Sequence, residues 1–85
     1  MPKEVLRKIT EPIRVLASFA ENSIRIHFFN WNERIYKVES ANLFHIERDG
    51  STKRYHFAVT SAGNDYQIAF NPTTLDWQLE DVVSV

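Results

Sequence analysis

The feature that most limits what this chain can become is a side-chain period of two that returns in run after run. Tyr55, Phe57 and Val59 alternate with Arg54, His56 and Ala58; Tyr66, Ile68 and Phe70 form a second clean run; Leu75, Trp77 and Leu79 stand opposite Asp76, Gln78 and Glu80. That period belongs to a strand with one face against a core. The first half of the chain carries the same signal. Ile13, Val15, Ala17 and Phe19 alternate with Arg14, Leu16 and Ser18, and Ile24, Ile26 and Phe28 alternate with Arg25, His27 and Phe29. Arg34 to Glu39 and Leu43 to Glu47 add shorter runs. Between the runs lie turn-forming clusters: Glu21-Asn22-Ser23, Asn30-Trp31-Asn32-Glu33, Ser40-Ala41-Asn42, Asp49-Gly50-Ser51, Ser61-Ala62-Gly63-Asn64 and Asn71-Pro72-Thr73-Thr74. Asp49-Gly50-Ser51 is the strongest of them, because glycine accepts the positive φ of a tight hairpin turn.

Short strands separated by turns at intervals of about 8–12 residues are the signature of an all-β sandwich or barrel. With 85 residues the chain has room for one core. Six Phe, three Tyr and two Trp supply much of the area that core can bury, and a flat open sheet would leave half of these rings wet. The expected fold is therefore an all-β, small, strongly bent antiparallel barrel or roll, SH3-like, of about five to six main strands. Residues 1–11 read separately. Val5, Leu6 and Ile9 have helical spacing and Pro12 forbids continuation, which predicts a short N-terminal arm or one weak helical turn ahead of a single β domain over residues 12–85.

Composition narrows the function. The chain has no cysteine, hence no disulfide framework, thiolate metal site or cysteine nucleophile, and its make-up suits a reducing cytosol. MPKEVLRKITEP has no apolar core of an export signal, and no run approaches the ~20 apolar residues of a membrane span. The expected location is cytoplasmic, without a membrane partner. A net charge of −1 argues against wholesale electrostatic capture of nucleic acid. The charge is nonetheless divided: all ten Lys and Arg lie at or before Arg54 with seven of the eleven carboxylates, leaving +3 there and −4 in residues 55–85.

Chemistry finds little footing. His27, His45 and His56 fall on three different strands without metal-ligand spacing such as HxH or HExxH. Asp65, Asp76, Glu80 and Asp81 lack the order of a calcium loop and read as a solvated acidic face. With only Gly50 and Gly63 there is no phosphate-cradling loop, and the serines and threonines lie mostly in turns. The expectation is no enzyme activity, no cofactor and no metal.

Binding remains. Small β barrels hold single-stranded nucleic acid by stacking bases on exposed rings beside a basic track, and Arg25, Phe29, Trp31, Arg34, Lys37 and Arg54 are the residues that would build such a site. Protein recognition is the competing class. Residues 13–19 as an uncovered edge, or the apolar tail Val82-Val83-Ser84-Val85, would add a partner strand or pair with a second copy.

One stretch also resembles a known pattern. Phe29-Asn-Trp31-Asn-Glu-Arg34-Ile-Tyr36-Lys-Val38, followed by Tyr66-Gln-Ile68 and Trp77-Gln-Leu79, is similar to the F-x-W-x-G-R-x-Y-x-V motif, Y-x-L strand and closing W-x-L strand of a family of small uncharacterised bacterial β domains. Members occur alone or appended to polymerase-like proteins of mutagenic DNA repair. The resemblance spans about residues 12–83 and implies a small β fold with no catalytic residues. Two departures stand out: the family's turn glycine is Glu33 here, and Leu43 to Arg54 is less basic and less Trp-rich than the matching region. The sequence thus points first to a bacterial adaptor domain acting through protein–protein contacts, with self-association as one form. A single-strand nucleic-acid module linked to repair is the alternative.

Overall fold

The computed structural model describes residues 5–83. Seven strands fill it: β1 (Val5–Ala20), β2 (Ser23–Trp31), β3 (Arg34–Lys37), β4 (Ser40–Asp49), β5 (Thr52–Ser61), β6 (Asn64–Asn71) and β7 (Asp76–Val83). They form one antiparallel sheet in the order β3-β2-β1-β7-β6-β5-β4, and it is not closed into a barrel. Seven strands thus stand where five to six main ones were expected. Among the described residues no helix is long and apolar enough to cross a membrane.

The sheet is strongly bent, and simple lengths require it. A straight strand of 16 residues would run roughly 50 Å, yet the longest dimension of the fold is 32 Å. β1 turns a corner instead. Its residues 5–13 pair only with β7, and residues 14–20 pair only with β2. A second corner lies at Val38-Glu39, the two residues joining the opposite sheet edges β3 and β4. There the Val38 N–H donates to the His27 carbonyl (2.9 Å), the Glu39 N–H donates to the Thr60 carbonyl (2.8 Å), and the buried Ser61 hydroxyl donates to the Lys37 carbonyl (2.6 Å). The sheet thereby folds into two leaves. A small leaf holds β3, β2 and the second half of β1; a large leaf holds the first half of β1, then β7, β6, β5 and β4.

The core fills the space between the leaves. Ile26 and Phe29 come from the small leaf, and Phe57, Val59, Tyr66, Ile68, Phe70 and Leu79 from the large one. Phe29 stacks on Tyr36 at 4.8 Å and meets the edge of Tyr66 at 5.3 Å, so aromatic contact bridges the two leaves. Trp77 stacks on Phe70 at 4.3 Å.

Four two-residue hairpin loops set the register. Glu21-Asn22, Asn32-Glu33 and Ala62-Gly63 have positive φ at both positions, the signature of a type I′ turn, whose twist matches that of the flanking strands. Glu33 therefore occupies, at φ 61°, the position a glycine would hold without strain. In the fourth, Gly50 takes φ 63°. Between β6 and β7 the chain uses a longer loop, in which the Asn71 carboxamide oxygen accepts from the N–H groups of Thr73 (2.9 Å) and Thr74 (3.2 Å).

Residues 5–11, expected as an arm or weak helical turn, are the first half of β1. The helical spacing there comes from register shifts between Val5 and Arg7 and between Lys8 and Glu11, with Thr10 at φ 52°. Bulges of this kind break the period of two without ending the strand. Pro12 sits inside β1 opposite Gln78, tolerated because β1 has a strand neighbour on one side only at that level.

Candidate functional site

The outer surface of the small leaf is decided by one residue, His27. Leu16 pairs with Phe28 and Ala17 with Ile26, which leaves His27 as an extra residue in β2. Beyond this bulge the alternation changes phase. Ile26 and Phe29 face the core at 4% and 1% exposure, whereas Phe28 faces outward at 37%. The unbroken alternation expected from Ile24 to Phe29 placed these two rings the other way round. His27 also points outward, its Nε2 lying 2.9 Å from the Ser18 hydroxyl.

Register then fixes what shares this face. Leu16 stands opposite Phe28 and Phe28 opposite Lys37; Arg14 stands opposite Asn30 and Asn30 opposite Ile35; Ser18 stands opposite Arg25. Leu16, Phe28 and Ile35 form a continuous apolar patch, with Leu16 60% and Ile35 72% exposed. Arg14, Leu16, Phe28, Asn30 and Ile35 line a shallow open groove across the three strands. Three cations, Arg14, Arg25 and Lys37, border it, and no carboxylate occupies an outward position on these strands. A surface of this composition suits an apolar side chain set among negative charges.

The residues expected to build a nucleic-acid site are only partly together. Arg25 and Lys37 share the outer face of the small leaf with Phe28. Phe29 lies in the core, out of reach of a base. Trp31 is half-buried, its ring 6.1 Å from Tyr36 with the Arg7 guanidinium 5.6 Å above it, and its Nε1 is buried without a hydrogen-bond partner. Arg34 is opposite Trp31 at the mouth of the β2–β3 turn. Arg54 is on the large leaf, its guanidinium 3.5 Å from the Glu80 carboxylate and 3.3 Å from the Gln78 carboxamide oxygen. Arg14, Leu16, Phe28 and Ile35 were not anticipated. The available signal was the Phe28-Phe29 pair itself: adjacent strand residues face opposite ways, so one of two neighbouring rings must be outside.

Two groups of titratable residues on the large leaf are engaged with one another, Arg54 with Glu80 and His45, His56 and Glu47 together. His45 stacks on His56 at 5.6 Å, and His56 Nε2 lies 3.0 Å from a Glu47 carboxylate oxygen. The hydrogen bond from His56 holds the Glu47 carboxyl below its ordinary value; desolvation opposes it, and His56, Arg54 and His45 add weaker electrostatic pulls in the lowering direction. Thr60 donates to the buried Asp65 carboxylate at 2.9 Å. Asp81 is buried with one carboxylate oxygen unpartnered; the register shift leaves Glu80 as an extra residue, so Asp81 stands opposite Gln67 and Val82 takes the core-facing place opposite Tyr66. Burial, with the nearby Tyr36, pushes the Tyr66 phenol up from its ordinary value. Among the described residues no three His, Asp or Glu side chains converge as metal ligands. Val82 and Val83 complete the sheet between β6 and β1; Ser84 and Val85 lie outside the described residues. The chain matches no family model, no curated protein and no solved structure.

Proposed function

We propose that this chain is a non-catalytic bacterial binding module of the cytoplasm that acts through protein–protein contacts, and that the outer face of the small leaf grips an acidic segment bearing large apolar side chains. One observation carries the proposal: Leu16, Phe28 and Ile35 lie open to solvent side by side, bordered by Arg14, Arg25 and Lys37. A small soluble domain gains nothing from leaving three large apolar side chains wet together, so their grouping marks a contact surface. The bordering cations choose the sign of the partner. The scaffold fits the role, since the two leaves sharing bent strands are read here as a variant of the SH3-like roll, which presents one sheet face as a rigid platform.

The patch favours protein over single-stranded nucleic acid because two of its three apolar members are aliphatic and one ring, Phe28, stands alone. Nucleic-acid grooves hold successive bases on successive rings. The absence of catalysis is part of the same proposal: Arg54 with Glu80, and Glu47 with His56, are committed to pairs on the large leaf rather than gathered around a cleft.

The test is a panel of fluorescent peptides and oligonucleotides titrated with the protein at two salt concentrations. Peptides that alternate Leu or Phe with Asp or Glu are expected to bind, and Leu16→Ser with Ile35→Ser, or Arg14→Ala with Lys37→Ala, to weaken them tenfold or more. Binding of oligonucleotides alone, falling steeply with salt and indifferent to Leu16 and Ile35, would establish the nucleic-acid reading in its place.

A further inference from the structure

The large leaf ends on β4, and none of the described residues covers its far part. β4 runs for ten residues, pairs with β5 on one side, and has eight consecutive exposed residues from Asn42 to Asp49. After the corner at Val38-Glu39 the other sheet edge, β3, stops at four residues. The far part of β4 therefore projects a free row of backbone donors and acceptors. Leu43, Phe44 and Ile46 on this strand are 49%, 53% and 43% exposed, and no proline interrupts it. Edges left to water are usually shortened, broken by proline or rendered polar on both faces. β4 is blunted by the charges of Glu47, Arg48 and Asp49 toward its end and by a bulge at Phe44. Beyond it the register is regular from His45 to Asp49.

We propose that β4 pairs antiparallel with β4 of a second copy about a two-fold axis normal to the sheet, with Ile46 opposite Ile46 of the partner subunit. The argument is one of self-complementarity. A two-fold normal to the sheet keeps outer face against outer face, so one residue of β4 must lie opposite itself. Centring on His45 opposes two imidazoles, on Glu47 two carboxylates and on Arg48 two guanidiniums, and like charges directly opposite are destabilising. Centring on Phe44 puts the bulge on the axis. In the regular stretch beyond the bulge Ile46 alone gives an apolar centre, and it sets His45 against Glu47 of the partner subunit twice over. Those pairs fall on the face where Glu47 already meets His56 and His45 stacks on it. Two copies would thus join a His56–Glu47 pair from each side through the His45 side chains. Main-chain bonds over a few residues and one isoleucine contact make a small interface, so dimerisation is expected only at high protein concentration.

The chain contains no cysteine, which makes an engineered one a clean reporter. Single variants Phe44→Cys, His45→Cys, Ile46→Cys and Glu47→Cys are oxidised at concentrations spanning the sedimentation-derived dimer range. Ile46→Cys is expected to cross-link at least tenfold faster than the others, because diagonal neighbours about 7–8 Å apart lie beyond disulfide reach. Mixing His45→Cys with Glu47→Cys is expected to give the mixed disulfide. Without cysteines, Glu47→Lys should weaken dimerisation tenfold or more, and His45→Glu in the same chain should restore it. Sedimentation as a monomer at every concentration overturns the proposal, as does a cross-linking maximum elsewhere. Capture of a foreign extended peptide along β4 by a chain that never dimerises also overturns it. Leu16→Ser with Ile35→Ser leaves the dimer unchanged, which separates this outcome from that of the peptide titration.

Discussion

Two neighbouring phenylalanines offer a sharp test of the bulge on which the small leaf depends. Phe29 is 1% exposed, stacked on Tyr36 and edge-on to Tyr66, so Phe29→Ala opens a cavity at the junction of the leaves. Buried Phe→Ala changes cost about 3–5 kcal/mol through lost transfer energy and the cavity left behind. Phe28 is 37% exposed and faces water beside Leu16 and Lys37, so its removal leaves no enclosed void. Only the transfer energy of its covered two-thirds is lost, about 1–2 kcal/mol. A domain of this size has a total stability of roughly 4–12 kcal/mol, so Phe29→Ala removes a large part of it and Phe28→Ala a smaller one. Urea unfolding followed by the fluorescence of Trp31 and Trp77 reads the difference. With a slope of about 1 kcal/mol/M, the Phe29→Ala midpoint should fall by about 3 M or more and the Phe28→Ala midpoint by about 1–2 M. Equal losses, or a larger loss for Phe28→Ala, would mean that β2 keeps an unbroken alternation and that the outer face described above does not exist.

Other consequences are as direct. Glu33 sits at φ 61° in a type I′ turn, so Glu33→Gly should stabilise the fold by about 0.5–1 kcal/mol, the strain relieved less the entropy of the unfolded glycine; an unchanged or lower urea midpoint would contradict this. Ser61→Ala leaves the Lys37 carbonyl without its 2.6 Å partner, the buried Ser61 hydroxyl, and should cost about 1–2 kcal/mol, measured by thermal unfolding. Because the folded Glu47 carboxyl titrates below its ordinary value, the stability it contributes is complete above that ordinary value and is lost as pH falls through the folded one. Carboxyl NMR titration should show the lowered value, and His56→Ala should return it most of the way. Tyr66 has the opposite sign: with its phenol pushed up, its contribution holds below the ordinary tyrosine value and is lost as pH rises through the folded one, so Tyr66→Phe should blunt alkaline unfolding followed by circular dichroism.

How far the sequence could be read depended on where the period of two survives. β5 and β6 have no internal register shift between them, and Tyr55, Phe57, Val59, Tyr66, Ile68 and Phe70 all face inward as their alternation implies. Three misreadings coincide with a bulge. His27 exchanges Phe28 and Phe29, Thr10 disguises the first half of β1 as helical spacing, and Glu80 shifts the phase of β7 so that Val82 rather than Asp81 faces the core. A bulge is a tertiary choice, made where curvature is needed to wrap one leaf over the other, and it leaves no composition mark of its own. The outer apolar face of the small leaf was misplaced for the same reason. Arg25 and Lys37 were found because charged side chains face water in either phase, whereas Phe28 and Ile35 could be assigned only once the phase was known. β4 was legible as a strand but not as an edge, since strand order depends on pairings between distant segments.

The pairing of β1 with β7 also governs how the fold can be reached. Val5 lies opposite Val83, and Ile13 opposite Trp77, so the first half of β1 finds its only strand neighbour more than sixty residues downstream. Hairpins β1–β2 and β2–β3 can close as soon as they are synthesised, but the large leaf waits for β7. Such long-range closure is slow, and a nascent chain stopped at the β6–β7 loop would carry the small leaf formed, an unsatisfied edge along residues 5–13 and an uncovered core. For a ribosome releasing the chain residue by residue, the large leaf is committed only once β7 has emerged.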